Sequence, residues 1–87
     1  MNEKIIKILK NIALLLEIKG ENPFKSRAYS NAAEIIETQN IDIEKKVRED
    51  SLVEIKGFGK ALQEKISDFV HNGRMEYYEK LKEEVPL

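Results

Sequence analysis

The stretch from Ile55 to Ile66, IKGFGKALQEKI, sets Phe58 between Gly57 and Gly59 and then opens an amphipathic run, with Lys56, Lys60 and Lys65 close by. Glycine reaches positive φ and lets another backbone approach closely, and the first amides of a helix that starts right after such a turn have no partner within the helix. Those amides, at the positive end of the helix dipole, suit an anionic oxygen; Gly57, Phe58 and Gly59 would offer main-chain contacts to a phosphate, with Lys56 and Lys60 beside it. A grip of this kind predicts little sequence preference and a clear salt dependence. An ordinary tight turn between helices uses the same two glycines, so the flanking residues decide between the two readings.

Two lysines stand out by angle. On a helical wheel Lys65 falls between Ala61 and Phe69, at the edge of the apolar face, which allows partial burial. A lysine that buries its stem and keeps a wet ammonium would look the same. Lys25 falls inside the arc of Phe24, Ala28, Ala32 and Ile36, near a helix start where its ammonium can reach solvent. Tyr29 follows four residues later, on the same face as Lys25. Arg27 is a further cation that can meet a phosphate or stay solvated.

The elements that must position these groups all read as helices. Ile5, Ile8, Leu9, Ile12, Leu15 and Leu16 recur at spacings of three and four over residues 3–18, with Ile6, Leu14 and Ile18 widening the stripe. Gly20 suits a left-handed cap, Asn22 can cap a second helix, and Pro23 fits its first turn, so that helix is expected from Pro23 to Thr38. A short third helix begins near Asp42, with Ile43 and Val47 turned inward; Ser51 or Asp50 caps a further short one, LVEI. The next is expected over Lys60 to His71, closed by Gly73, and the last, MEYYEKLKEEV, stops at Pro86. No strand-like alternation is present, so the predicted fold is an all-α compact bundle of about four to six helices.

A chain of 87 residues fits one domain, and its 41% hydrophobic and 36% charged composition is that of a folding, soluble chain. No apolar run approaches the roughly 20 residues of a membrane span, the N-terminus lacks the features of a signal peptide, and a cytoplasmic location is expected. Without cysteine and with His71 as its single histidine, the chain has no thiolate or histidine metal site. The net charge of −1 hides an uneven distribution: residues 19–31 balance to +2 and residues 34–50 to −3. Only the basic side can face phosphates.

The segments IALLLEIKGENPFKSRAYSNAAEIIE and LVEIKGFGKALQEKISDFVHNGRMEYYEKLKEEVP resemble the amino-terminal, lyase-type domain of family X DNA polymerases, the group related to DNA polymerase beta, and most closely its bacterial and archaeal members. The likeness covers nearly the whole chain, including a helix-hairpin-helix motif at about residues 51–71. It implies binding to gapped or nicked DNA at the 5′-phosphate end, in DNA repair. It also implies Na+ or K+ held by the backbone carbonyls of Val53, Ile55 and Phe58, with no other cofactor required. In the polymerase-beta branch this domain removes 5′-deoxyribose phosphate in base excision repair through an imine between a lysine and the sugar C1′. The matching lysine is Lys65, the lysine that contacts the 5′-phosphate matches Lys25, and the tyrosine beside the lyase site matches Tyr29. This chain departs from that branch at three positions: Phe24 replaces a histidine, while Ala61 and Tyr77 each replace a lysine.

The expected function is therefore a DNA-binding domain without sequence preference that engages a gap and its 5′-phosphate. One alternative adds lyase activity through Lys65; a second makes the fold a protein-docking domain whose hairpin is only a turn. The metal-binding aspartates of nucleotidyl transfer are missing, so polymerase activity is not expected of this chain. A monomer is expected, joined to a polymerase domain in a longer protein.

Overall fold

The early break in the helical pattern at Gly20 governs how the first two helices meet. A computed structural model of the chain describes residues 2–85. Helix α1, Asn2–Lys19, ends as Gly20 takes φ +79° and the Glu21 amide donates back to the Leu16 carbonyl at 3.0 Å. Three residues later α2, Pro23–Gln39, starts with the Asn22 side chain accepting from the Phe24 amide, and it runs back along α1. The tight loop and the buried Ala32 and Ala33 bring the two helices together over Ile5, Leu9, Ile12 and Leu16.

Two more left-handed caps follow the same scheme, at Asn40 (φ 51°) and Asp50 (φ 52°), on either side of α3, Ile43–Arg48. Asp42 caps α3 by accepting from the Lys45 amide at 3.1 Å, and Ile43 and Val47 turn inward as their spacing requires. Asn2 ties this turn to α1: its side-chain amide donates to the Ile41 carbonyl, and its oxygen accepts from the Ile43 amide at 3.1 Å. The LVEI segment is a single 3-10 turn, Leu52–Glu54. Ser51 precedes it without a side-chain cap, its hydroxyl donating instead to the Lys46 carbonyl. Helix α4, Lys60–Asn72, and α5, Glu76–Glu84, complete the chain. The turn between them uses Gly73 at φ +78° and the Asp68 carboxylate, which accepts from the Glu76 amide at 3.2 Å. The expected stop at Pro86 lies outside the described residues.

Ile66, Phe69, Met75, Leu81 and Val85 join the side chains of α1 and α2 in one core. The radius of gyration of 12.3 Å is that of a close-packed chain of this length. The all-α bundle read from the periodicity is therefore the observed fold: five α-helices and one 3-10 turn among the described residues.

Two parts of the helical wheels were misplaced. Leu14 and Ile18 do not widen the core stripe of α1; they are exposed at 53% and 55%. On α2 the buried face is Ser26, Tyr29, Ala32, Ala33 and Ile36, so Tyr29 is core and Phe24, 77% exposed, is not. The polar Ser26 can take a core position because its hydroxyl donates to the Pro23 carbonyl at 3.1 Å. That rotates the inward face away from Phe24 and Ala28. No helix among the described residues is long and apolar enough to cross a membrane.

Candidate nucleic-acid interface

The hairpin between the 3-10 turn and α4 gives its two glycines different roles. Gly57 has φ +94°, a conformation that costs an L-residue about 1–2 kcal/mol, and a Cβ there would sit 3.3 Å from Ile35 Cδ1. Gly59 has ordinary angles, φ −70° and ψ 166°, and a Cβ there would meet nothing within 4 Å. The turn therefore needs Gly57, whereas nothing inside the fold needs glycine at 59. Phe58 between them is core, 6% exposed, and its amide donates to the Ile55 carbonyl at 3.1 Å. The Phe58 side chain thus anchors the hairpin, and its amide is engaged within the turn.

Gly59 is the N-terminal cap of α4, and its carbonyl accepts from the Gln63 amide at 3.0 Å. The amides of Lys60, Ala61 and Leu62 therefore form the open first turn of the helix. Of these three residues Ala61 and Leu62 line a cleft of about 360 Å³, together with Gly57, Gly59, Lys25, Ala28, Tyr29, Lys65 and Tyr77. Two of those residues are lysines and none is an acid. The cleft thus gathers Lys25, Tyr29 and Lys65 from α2 and α4 beside the hairpin.

Lys56, Lys60 and Arg27 are exposed and lie outside this lining. Lys60 opens α4 next to Gly59, at the rim; the Arg27 guanidinium stands 5.7 Å from the centre of the exposed Phe24 ring. Lys25 is paired with Glu21 at 3.3 Å in an exposed i,i+4 bridge, an interaction of small net strength.

Tyr77, which the resemblance set at a lysine position, also lines the cleft. In the amphipathic last helix it reads as core, yet its ring stacks on Tyr29 with centroids 5.9 Å apart and planes 10° from parallel. The Lys65 ammonium lies 4.6 Å from the centre of the same ring. The bend at Gly73 carries Tyr77 back over α4, which no local pattern reveals. Burial, with a smaller effect from the Tyr77 hydroxyl, raises the Tyr29 pKa well above its ordinary value. Tyr29 is therefore a neutral phenol across the physiological range and can donate a hydrogen bond but not act as a base.

The carbonyls of Val53, Ile55 and Phe58 provide neutral oxygens suited to a monovalent cation. Two of them already serve the fold: the Ile55 oxygen accepts from the Phe58 amide, and the Phe58 oxygen accepts from Gln63 Nε2 at 2.8 Å. Each of these two oxygens keeps a second lone pair. No cluster of His, Cys, Asp or Glu able to hold a metal occurs among the described residues.

The profile of the helix-hairpin-helix domain family matches residues 1–75. A DNA polymerase/3′-5′ exonuclease PolX from Bacillus subtilis (strain 168) is 33% identical over 82 residues, which cover 94% of this chain and 14% of that protein. No solved structure matches. The resemblance to family X polymerases read from the motifs agrees with the PolX match, and the chain belongs to the helix-hairpin-helix domain family.

Proposed function

We propose that this chain is a DNA-binding domain that holds the 5′-phosphate side of a gap or nick, without reading sequence, as part of a DNA-repair polymerase. The observation that carries this reading is the acid-free cleft in which Lys25 and Lys65 face the open first turn of α4 beside Gly57 and Gly59. A terminal phosphate there accepts from main-chain amides, with Lys25 as the counter-charge and Lys60 at the rim. The exposed Phe24 offers a face on which the neighbouring base can stack. A cation on the Val53, Ile55 and Phe58 carbonyls would supply one more positive charge toward a phosphate. The test is binding of gapped duplexes with and without a 5′-phosphate, by parent and Lys25→Gln. A preference for the phosphate that is lost in Lys25→Gln supports the reading, and equal affinities refute it.

A second reading rests on Lys65, whose half-buried position beside the Tyr29 and Tyr77 rings keeps its amine at the wall of the cleft. As a neutral amine, Lys65 Nζ adds to the C1′ aldehyde of a ring-opened 5′-deoxyribose phosphate, and loss of water gives an imine. The imine makes the C2′ proton acidic; its loss to water leaves an electron pair that forms the C2′=C3′ double bond as the C3′–O bond breaks, and the bonding pair departs on the phosphate oxygen, leaving the next nucleotide with a 5′-phosphate. Hydrolysis of the imine returns Lys65. Borohydride, which reduces the imine to a stable amine, traps a covalent adduct only if this chemistry occurs.

A further inference from the structure

A second basic cleft adjoins the first and shares Lys25 and Tyr77 with it. It has a volume of about 260 Å³, lies where the end of α1, the start of α2 and the outer face of α5 meet, and is also lined by Lys19, Lys80 and Glu84. Glu84 is its single acid: Lys19 Nζ lies 2.5 Å from Glu84 Oε1, and Lys80 sits one turn before Glu84 on the same face of α5. Hydrogen bonding to Lys19 holds the Glu84 carboxyl below the usual carboxylate range, with smaller pulls from Lys25 and Lys80. Within the lining one carboxylate thus stands among three ammonium groups contributed by three helices, while Glu21, just outside it, holds Lys25 in an exposed pair at 3.3 Å.

Its placement is unfavourable in one respect. Glu84 occupies the last turn of α5, the negative end of the helix dipole, where an acid is disfavoured. The Glu84 side chain is 54% exposed, so it can swing out to water without disturbing the core. The same helix end opposes a phosphate, which offsets it by offering more acceptor oxygens to the three ammonium groups.

We infer that the Lys19, Lys25 and Lys80 cleft is a second phosphate subsite, filled by the Glu84 carboxylate in the free domain and taken over by a backbone phosphate when DNA binds. The inference rests on the DNA-end reading and extends it: with Lys25 shared between the clefts, the phosphate that follows the terminal one along the same strand falls here. Displacement of an internal anion makes Glu84 a restraint on affinity rather than a contact.

The test compares parent, Glu84→Gln and Lys80→Gln by fluorescence anisotropy on a 5′-phosphorylated gapped duplex over a range of salt. Each variant changes one exposed side chain, and thermal unfolding checks that the fold is retained. Glu84→Gln is expected to bind about fivefold more tightly, and Lys80→Gln to bind more weakly with the salt slope reduced by about 1. A neutral methylphosphonate at the first internucleotide linkage of the 5′-phosphorylated strand is expected to abolish both differences. Unchanged affinities in both variants, while Lys25→Gln still weakens binding, overturn the subsite and leave the DNA-end reading intact. If the parent binds no gapped DNA, the DNA-end reading fails, and inorganic pyrophosphate titrated against the amide spectrum decides the subsite separately. Shifts at Lys19, Lys80 and Glu84 that grow in Glu84→Gln keep it, and their absence overturns it.

Discussion

Gly59→Ala separates a glycine that serves the fold from one that serves a ligand. At Gly57 an added Cβ meets φ +94° and the Ile35 methyl at 3.3 Å, so Gly57→Ala is expected to destabilise the domain by about 1–2 kcal/mol from backbone strain alone. At Gly59 the backbone is ordinary and the space around a Cβ is empty. There, the reduced freedom of the unfolded chain contributes about 0.4–1 kcal/mol in favour of alanine. Alanine's poorer helix capping opposes this by a similar amount, so the two nearly cancel. Gly59 nevertheless lines the cleft at the foot of the open α4 turn, where a phosphate must come within hydrogen-bond distance of the backbone. A methyl group there displaces the phosphate from at least one charge-assisted hydrogen bond. Such a bond is worth about 1.5–3 kcal/mol, or about a tenfold to hundredfold loss in affinity. Urea unfolding followed by circular dichroism gives the stability, and fluorescence anisotropy with a gapped duplex at fixed salt gives the affinity. If Gly59→Ala is as stable as the parent and binds DNA equally well, a close backbone approach at this hairpin is refuted.

Lys65→Ala is expected to abolish any borohydride-trapped adduct with 5′-deoxyribose phosphate DNA and to weaken gap binding while leaving it measurable, since Lys25 and the open α4 amides remain in the cleft; an adduct that persists assigns the imine to another amine. Tyr29, with its pKa raised in the folded state, favours folding fully below the unfolded value of about 10, and that contribution is lost as pH rises beyond it. The parent should accordingly lose more stability between pH 9 and 11 than Tyr29→Phe, and equal losses contradict the buried, neutral phenol. Gln63→Ala frees the Phe58 carbonyl, so the gain in DNA affinity on replacing tetramethylammonium by K+ at constant ionic strength should be larger than in the parent; an unchanged gain argues against an ion on these carbonyls.

The helices were legible because their punctuation is local. Gly20, Asn22, Pro23, Asp42 and Gly73 each act within a few residues, and each holds its expected turn or cap. That Lys25, Tyr29 and Lys65 belong to one site was expected only from the resemblance: helical angle puts Lys25 and Tyr29 on one side of α2 but does not say that α4 brings Lys65 beside them. The stacking of Tyr77 on Tyr29 was hidden, because it depends on how far the Gly73 bend swings α5 back over α4. The outward position of Phe24 was hidden by Ser26, whose bond to the Pro23 carbonyl lets a polar residue take the core position that hydrophobicity assigned elsewhere. The different duties of Gly57 and Gly59 emerge only from their backbone angles.

The most direct measurement is the affinity of the parent domain for one-nucleotide-gapped duplexes that differ only in a 5′-phosphate or 5′-hydroxyl at the gap, at two salt concentrations and in two unrelated sequences. A cleft of two lysines and open helix amides predicts about tenfold tighter binding of the phosphorylated duplex, a steeper salt dependence for it, and no difference between sequences. Equal affinity for the two ends, or no binding at low salt, would contradict a domain built to hold a 5′-phosphate.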